Sequence, residues 1–550
     1  MFKRRLHSAR SALAARWLEV RLGTVSLPQG FTVAGGLPGP SSVLPERYRF
    51  AIPMTLRILA ASLMAAFACH VSIAQTVASE PLRETVSKAL AANPEVTARL
   101  NAFRAADEAV KVGRAGWLPR LDLQADVGQD RDTIDSRLAQ NQTINRAGAS
   151  LTLSQLLWDG LATRNEVGRL GHERMARYFE LLDVTEQIAL EAARAHLDVL
   201  RFRRLVELAE DNYVQHRYAF LQIQSRVRAG VGRGVDLEQA TARLALAESN
   251  LTTEQANLHD VSTRFQRIVG ELPPRSLAAN ARLTANAPAS AEAAARAAVQ
   301  QNAGISAAIE SMRAARSAAT ARDSAFQPRV EARLRAGGGH NYEGILDRTR
   351  ATTGEVVLAW NLFNGGADQA RVRQQAAVLD QATDLRDKAC RDARQTAAIA
   401  FNDTAKFAEQ IRLLELNTQA IVKARDAYRQ QFDIGQRSLL DLLNAENEVY
   451  TARRSLANAQ ADLDTAFVRT HAAVGQLTPQ LGLARRDVGS EVAPWSAADD
   501  GPSRCGLDTA AVTSTPVRDL DARAQRMVDS APANPGSLPA QPAAGAAPRR

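Results

Sequence analysis

The chain has 550 residues, of which 45% are hydrophobic, 23% charged and only 5% aromatic, and it carries a net charge of +9. The charge is unevenly spread. Residues 1–74 hold nine Lys/Arg against two acids, which leaves +2 for everything after Ala74. A nucleic-acid binder needs a basic patch, and the body of this chain has little surplus to build one. Abundant Ala, Gln, Arg, Glu and Leu suit long helices instead.

The basic start reads as targeting. Residues 1–53 are Arg-rich and Pro/Gly-rich and are treated as a leader, or as a start placed too early, outside the fold. Met54 and Arg57 then precede an apolar run over residues 58–68, followed by Ser72, Ile73 and Ala74. A positive segment, a short apolar run and small residues make a secretory signal over residues 54–74, cleaved after Ala74. The run is too short to cross a bilayer as a helix. Ala66, Phe67 and Ala68 depart from a lipobox, so lipidation of Cys69 is not expected. After cleavage only Cys390, in a helical pattern, and Cys505, in a loose tail, remain, and no disulfide framework is expected.

From residue 75 onward the chain says the same thing twice. Asn93, Trp117 and Pro119 recur 209 residues later as Asn302, Phe326 and Pro328. Gly160, Gly230, Asp236, Ala240 and Gly270 recur 205 residues later as Gly365, Gly435, Asp441, Ala445 and Gly475. The repeats span residues 75–285 and 286–494, and each reads as a helix, two strands and a long helical pair.

Four short segments alternate apolar and polar residues. They are Leu121, Leu123, Ala125 and Val127; Ala149, Leu151 and Leu153; Val330, Ala332, Leu334 and Ala336; and Val356, Leu358, Trp360 and Leu362. Such alternation gives a strand one apolar and one polar face. Each segment is about 9–11 residues, the length of a tilted membrane-spanning strand. A soluble antiparallel sheet gives the same alternation. Two features favour the membrane: the polar face of the third strand is wholly charged, as a lumen allows, and Trp117, Trp158, Phe326, Trp360 and Phe363 gather at the strand ends nearest the helices, as an aromatic girdle does. Four strands cannot close a barrel, and a spanning barrel must close, so several copies are required. The loops between paired strands, residues 128–146 and 337–352, read as exposed turns. Asp130, Asp132 and Asp135 lack the Gly and terminal Glu of a calcium loop.

From Leu161 to about Arg228 there is no proline, which allows a helix of about 68 residues and about 100 Å. The return segment repeats every seven residues at Leu237, Leu244, Leu251, Leu258 and Phe265, and its duplicate at Leu442, Val449, Leu456 and Leu463. That period specifies coiled-coil packing. Gly230 and Gly435 mark the two hairpin tips. Asp236 and Asp441, with Arg233 and Arg437, lie just past them. Charges near helix ends are ordinarily solvated, but in a ring of protomers they would form repeating rings that select or gate. No catalytic or metal-ligand motif is present.

Gly116-Trp117-Leu118-Pro119-Arg120, Leu153 to Gly160, Leu358 to Gly366 and Ile434 to Ala445 resemble the strand entries and second hairpin tip of TolC-type outer-membrane efflux and secretion channels. The resemblance covers about residues 82–477 in order. It implies a mainly α fold with membrane β-structure: duplicated helical hairpins plus four transmembrane strands per chain, assembled as a homotrimer with a twelve-stranded β-barrel and a twelve-helix periplasmic tunnel. It also implies a Gram-negative outer membrane, a periplasmic adaptor and an inner-membrane transporter, with no enzyme activity, cofactor or nucleic acid. Within that family an Asp on the first tip bonds an Arg and a Tyr on the second and holds the tunnel closed. Asp236 and Arg437 match, and Phe432 stands where the Tyr would be. Of two acidic rings, Asp441 matches one and Asn444 occupies the other. The poor lipobox and the segment Trp158 to Glu166 look more like members serving type I protein secretion with an ABC transporter. Drug or metal efflux with a proton-driven pump, and a periplasmic coiled coil without a pore, are the alternatives. The Ala/Pro-rich tail, residues 495–550, is expected to lack order.

Overall fold

The computed structural model describes residues 80–133, 141–279, 282–342, 345–484, 505–506 and 515–530. The leader, the signal segment with its cleavage site, Cys69 and Asp135 lie outside the described residues.

Both repeats begin alike. Helices α1 (Glu80–Ala92) and α2 (Pro94–Ala115) in the first half correspond to α5 (Ala291–Gln301) and α6 (Ala303–Ala321) in the second. Asn93 caps α2 by accepting from the Glu95 amide at 2.8 Å, and Asn302 caps α6 by accepting from the Ile305 amide at 3.2 Å. An Asn side chain at that position satisfies an amide the helix leaves open. Strands β1 (Arg120–Thr133) and β2 (Asn141–Trp158) follow α2, and β3 (Arg329–His340) and β4 (Arg348–Ala359) follow α6. All four form one antiparallel sheet in the order β1-β2-β3-β4.

The strands are longer than the alternation suggests, at 14, 18, 12 and 12 residues. Much of what reads as loop is paired: Gly128 faces Arg146 and Thr133 faces Asn141, while His340 faces Arg348. Polar side chains do not stop a ladder whose backbone groups still find partners.

Each strand pair feeds a helix of 67 residues, α3 (Ala162–Arg228) and α7 (Ala367–Asp433). The corner from strand to helix needs two consecutive left-handed residues. The second half supplies Gly365 and Gly366, at φ of 70° and 83°; the first supplies Gly160 at 66° and Leu161 at 69°. Leu161 therefore adopts a conformation that side chains disfavour. At the far end each helix stops on a left-handed glycine, Gly230 or Gly435. Helices α4 (Gly234–Val269) and α8 (Leu439–Ala473) then return.

The four-across order persists along the molecule. Next to the sheet the packing order is α2-α3-α6-α7, and toward the tips it is α4-α3-α8-α7. Helices α3 and α7 run through both layers. The largest core lies where the layers change. There Leu82, Val86, Leu181, Ile188, Val199, Phe265, Val468 and Leu477 pack together. The short helix α9 (Leu477–Gln480) closes this core, its amides at Leu477 and Thr478 bonded to Glu186.

The cysteines and the tail depart from expectation. Cys390 of α7 is joined to Cys505, with Cα atoms 5.7 Å apart. Cys505 packs against Ile305 and Ile309, and Arg394 donates to the Gly506 carbonyl at 2.9 Å. A separation of 115 residues hides such a pair from any spacing argument. The tail also holds a helix, α10 (Val517–Ser530), whose residues are all exposed.

Two predictions follow from this scaffold. In protein exported to the periplasm and denatured without reductant, neither Cys390 nor Cys505 should accept a thiol label. Labelling of both would mean that the staple does not form. His196 is wholly buried, near Thr85 Oγ1 at 2.9 Å and the Ala278 carbonyl at 3.3 Å, and burial lowers its pKa to about 4. Its contribution is intact above the free-histidine pKa of about 6.5 and is lost as pH falls toward 4. Wild-type protein should lose more thermal stability between pH 7 and pH 4 than His196→Gln does; equal losses would count against this role.

Candidate channel lining and gate

The two faces of the sheet differ sharply. Leu121, Leu123, Val127, Leu151, Leu153, Leu334, Val356 and Leu358 share one face and are exposed. An exposed apolar face of this extent needs a nonaqueous neighbour. Trp117, Trp158, Phe326, Trp360 and Phe363 are exposed at the helix-side end of this face. Trp360 Nε1 donates to the Phe326 carbonyl at 3.2 Å, which joins two of the three aromatics of the second half.

The opposite face carries Arg120, Asp122, Gln124, Arg329, Glu331, Arg333, Arg335 and Glu355 around an open cavity. Arg120 meets Asp122 at 2.7 Å and Arg333 meets Glu331 at 3.0 Å. Further from the helices, Arg146 lies 3.4 Å from both Asp126 and Asp130. Both signs interleave, so this face presents water with a charged but balanced wall.

At the tips, helix stops place the side chains. Val231 and Gly232 amides bond back to the Arg226 carbonyl, while Gln436 and Arg437 amides bond back to that of Gln431. Ser438 then caps α8 by accepting from the Asp441 amide at 3.2 Å. Ser438 also donates to the Asp441 carboxylate at 2.9 Å, and Arg437 lies 3.5 Å from it. The serine bond first, and the arginine charge second, hold the Asp441 carboxyl below its usual range.

Within one protomer Arg437 is engaged by its own repeat. Besides Asp441, it donates to Gln431 at 3.1 Å and stacks over the Tyr428 ring at 4.4 Å. Asp236, at the start of α4, is partly exposed and makes no ion pair among the described residues. Phe432 is buried with Ile223, Ala240, Leu439 and Leu443, and the Arg226 guanidinium lies 5.0 Å over its ring. Asn444 accepts from Arg243 at 2.7 Å, a direct link between the two hairpins.

The sequence reading missed three participants. Tyr428 stands one turn before Phe432 and puts an aromatic ring against Arg437. Arg243 ties Asn444. Glu446 is buried, and Arg425 at 2.8 Å and Arg429 both converge on it. Two arginines four apart, opposite a glutamate amid Leu443, Val449 and Tyr450, are the signal for this triad. At the aligned positions of the first half stand Phe220, Gln224 and Thr241.

The family model for outer membrane efflux proteins matches residues 85–271 and again 294–476, once in each half. The chain belongs to that family. Outer membrane efflux protein BepC of Brucella suis biovar 1 is 24% identical over 74% of this chain and 88% of its own length. Alkaline protease secretion protein AprF of Pseudomonas aeruginosa is 25% identical over 71% and 83%. The CmeC outer membrane channel of Campylobacter jejuni superposes with a TM-score of 0.65 at 14% identity, covering 80% of this chain and 94% of its own. This outer membrane efflux protein is a channel and not an enzyme. It resides in the Gram-negative outer membrane with its helices in the periplasm. Its fold is that of the trimeric channel-tunnels, each chain giving four strands to a barrel of twelve and four helices to a tunnel of twelve.

Glu446→Ala should strip the two arginines of their shared partner. Breaking a buried pair costs about 3–5 kcal/mol, and because Arg429 is partly exposed the loss should fall near the lower end. Hydrogen exchange should show lost amide protection from Arg425 to Tyr450, with the strands unaffected. Unchanged protection there would deny the triad its role.

Proposed function

We propose that this channel is the outer-membrane duct of a type I protein secretion system, joined through a periplasmic adaptor to an inner-membrane ABC transporter. The observation that carries the reading is the pair of open edges. Among the described residues β1 and β4 each have one side without a strand partner, and α7 exposes Val378, Leu385, Ile399 and Leu413 at multiples of seven residues. In a ring one neighbouring copy covers β1 and another covers β4, which leaves a continuous passage lined by the charged face. Likeness to AprF and the segment Trp158 to Glu166 support protein as the cargo. A second reading, drug or metal efflux with a proton-driven pump, is favoured by likeness to the outer membrane efflux protein BepC. The match of both halves to channel proteins sets aside a coiled coil without a pore.

Deleting the gene and measuring both secreted protein and drug susceptibility separates the two. Loss of a secreted polypeptide from the medium with unchanged susceptibility is expected. Hypersusceptibility with normal secretion would transfer the assignment to efflux.

The same reading makes the tips a gate. Arg437 is partly exposed and Asp236 has a free carboxylate, so the pair can form between protomers when the tips converge. One partly exposed bridge is worth only about 0–1 kcal/mol, but three copies in a ring act together. Phe432 offers no hydroxyl to this network. Asp236→Ala or Arg437→Ala should raise conductance in planar bilayers. Asp441→Ala should instead weaken cation selectivity and block by multivalent cations, by removing charge from the constriction. Wild-type conductance, selectivity and block in all three would locate the gate elsewhere.

A further inference from the structure

The connection between β3 and β4 is described at Asn341, Tyr342 and residues 345–347. Its neck is pinned by reciprocal bonds: the Asn341 amide donates to the Asp347 carbonyl at 2.8 Å, and the Asp347 amide donates to Asn341 Oδ1 at 2.9 Å. Both residues have positive φ, 52° and 70°, which bends the chain sharply. Asn341 Nδ2 also donates to the Asn145 carbonyl of β2 at 2.9 Å, tying the neck to the neighbouring hairpin.

Tyr342 then turns back onto the sheet and is buried. Its ring lies against Gly148, where a Cβ would sit only 2.0 Å from the ring. Gly148 alternates with Ser150, Thr152 and Ser154, so it belongs to the charged face. Arg335, on that same face, donates to the tyrosine hydroxyl at 3.2 Å. The turn is thereby anchored toward the lumen and not toward lipid. Beyond Tyr342, the Ile345 amide donates to its carbonyl at 3.2 Å, and Ile345 and Leu346 are both exposed. Two exposed aliphatic residues are out of place beside a strand end whose other neighbours are Asn, Asp, His and Arg.

We propose that this turn is an outer constriction of the channel, at the end opposite the helical tips. Tyr342 is its positioning residue, and Ile345 with Leu346 form apolar lips that narrow and partly dewet the mouth. Apolar constrictions of this kind restrict passage by excluding water and large solutes. The inference rests on the trimeric channel reading, which brings three such turns around one mouth. It gives the duct a second selecting element, one that acts on cargo as it leaves.

The test uses the mature trimer in planar bilayers, with graded poly(ethylene glycol)s added only on the side facing away from the helices. Polymers that enter the mouth lower conductance, so the largest effective polymer measures the opening. Tyr342→Ala, Gly148→Ala and the double substitution Ile345→Ser with Leu346→Ser should each shift that cut-off to larger polymers. Tyr342→Phe keeps the ring on Gly148 and should stay near the parent value. With the tips opened by Arg437→Ala, resistance at the far end falls, and Tyr342→Ala should then raise total conductance further. A parent pore whose cut-off is unmoved by all three perturbations overturns the constriction and leaves the channel reading standing. A parent chain that forms no pore overturns both.

Discussion

Unpaired backbone at the two ends of a four-stranded sheet governs everything else in this molecule. In hydrocarbon each unsatisfied amide or carbonyl costs several kcal/mol, so β1 and β4 must find partners on other chains. That requirement propagates downward. Each strand is bonded covalently to one helix, β1 to α2, β2 to α3, β3 to α6 and β4 to α7, and the helices pack in the same order as the strands. Closing the barrel therefore also brings the exposed side of α7 against the next copy's α2 and α4.

The architecture was legible because the duplication writes its signals twice. Asn93 and Asn302 cap and Gly230 and Gly435 stop, while the seven-residue period from Leu237 to Phe265 is half-buried at its leucines and fully buried at Phe265, with Ala240, Ala247, Val261 and Ile268, three residues on, buried beside it. Strand ends were not legible. Residues 128–133 and 141–146 are too polar to announce a strand, and only cross-strand pairing reveals them. The bond between Cys390 and Cys505 was hidden for a related reason, since nothing local to either cysteine points to the other. At the tips, sequence located Asp236, Arg437 and Asp441, but not the company Arg437 keeps. Tyr428 is displaced by one helical turn from the position the family pattern draws attention to, and alignment by position cannot register a ring that arrives from the turn before.

The two halves are also not equivalent where they matter most. The second hairpin holds its strands of helix together with the Glu446 triad, whereas the aligned first-half residues Phe220, Gln224 and Thr241 include no charge. Apolar contacts tolerate sliding because they are non-directional. Charge-assisted hydrogen bonds fix geometry more tightly. The second hairpin thus carries a buried charged latch near its tip where the first has none, and the first hairpin's own ion pairs, Arg264 with Asp198 and Arg267 with Glu191, lie farther back along its helices. Arg243 and Asn444 join the two hairpins near the tips.

Helices α3 and α7 can be viewed as beams. The core built around residues 181–199 grips α3 near its middle, leaving arms of about 30 Å above and about 45 Å below. The lower arm is held by two smaller clusters, one around Leu205, Leu208 and Tyr450 and one around Ile223 and Phe432 at the tip, so the grip weakens stepwise away from the barrel. Helix α7 lies at the edge and buries far fewer side chains, so packing alone holds it less firmly. Cys390 stands at the height of Thr185 in the duplicated numbering, within the gripped stretch of α3. The covalent staple to the tail supplies the second fulcrum at the same level as the first.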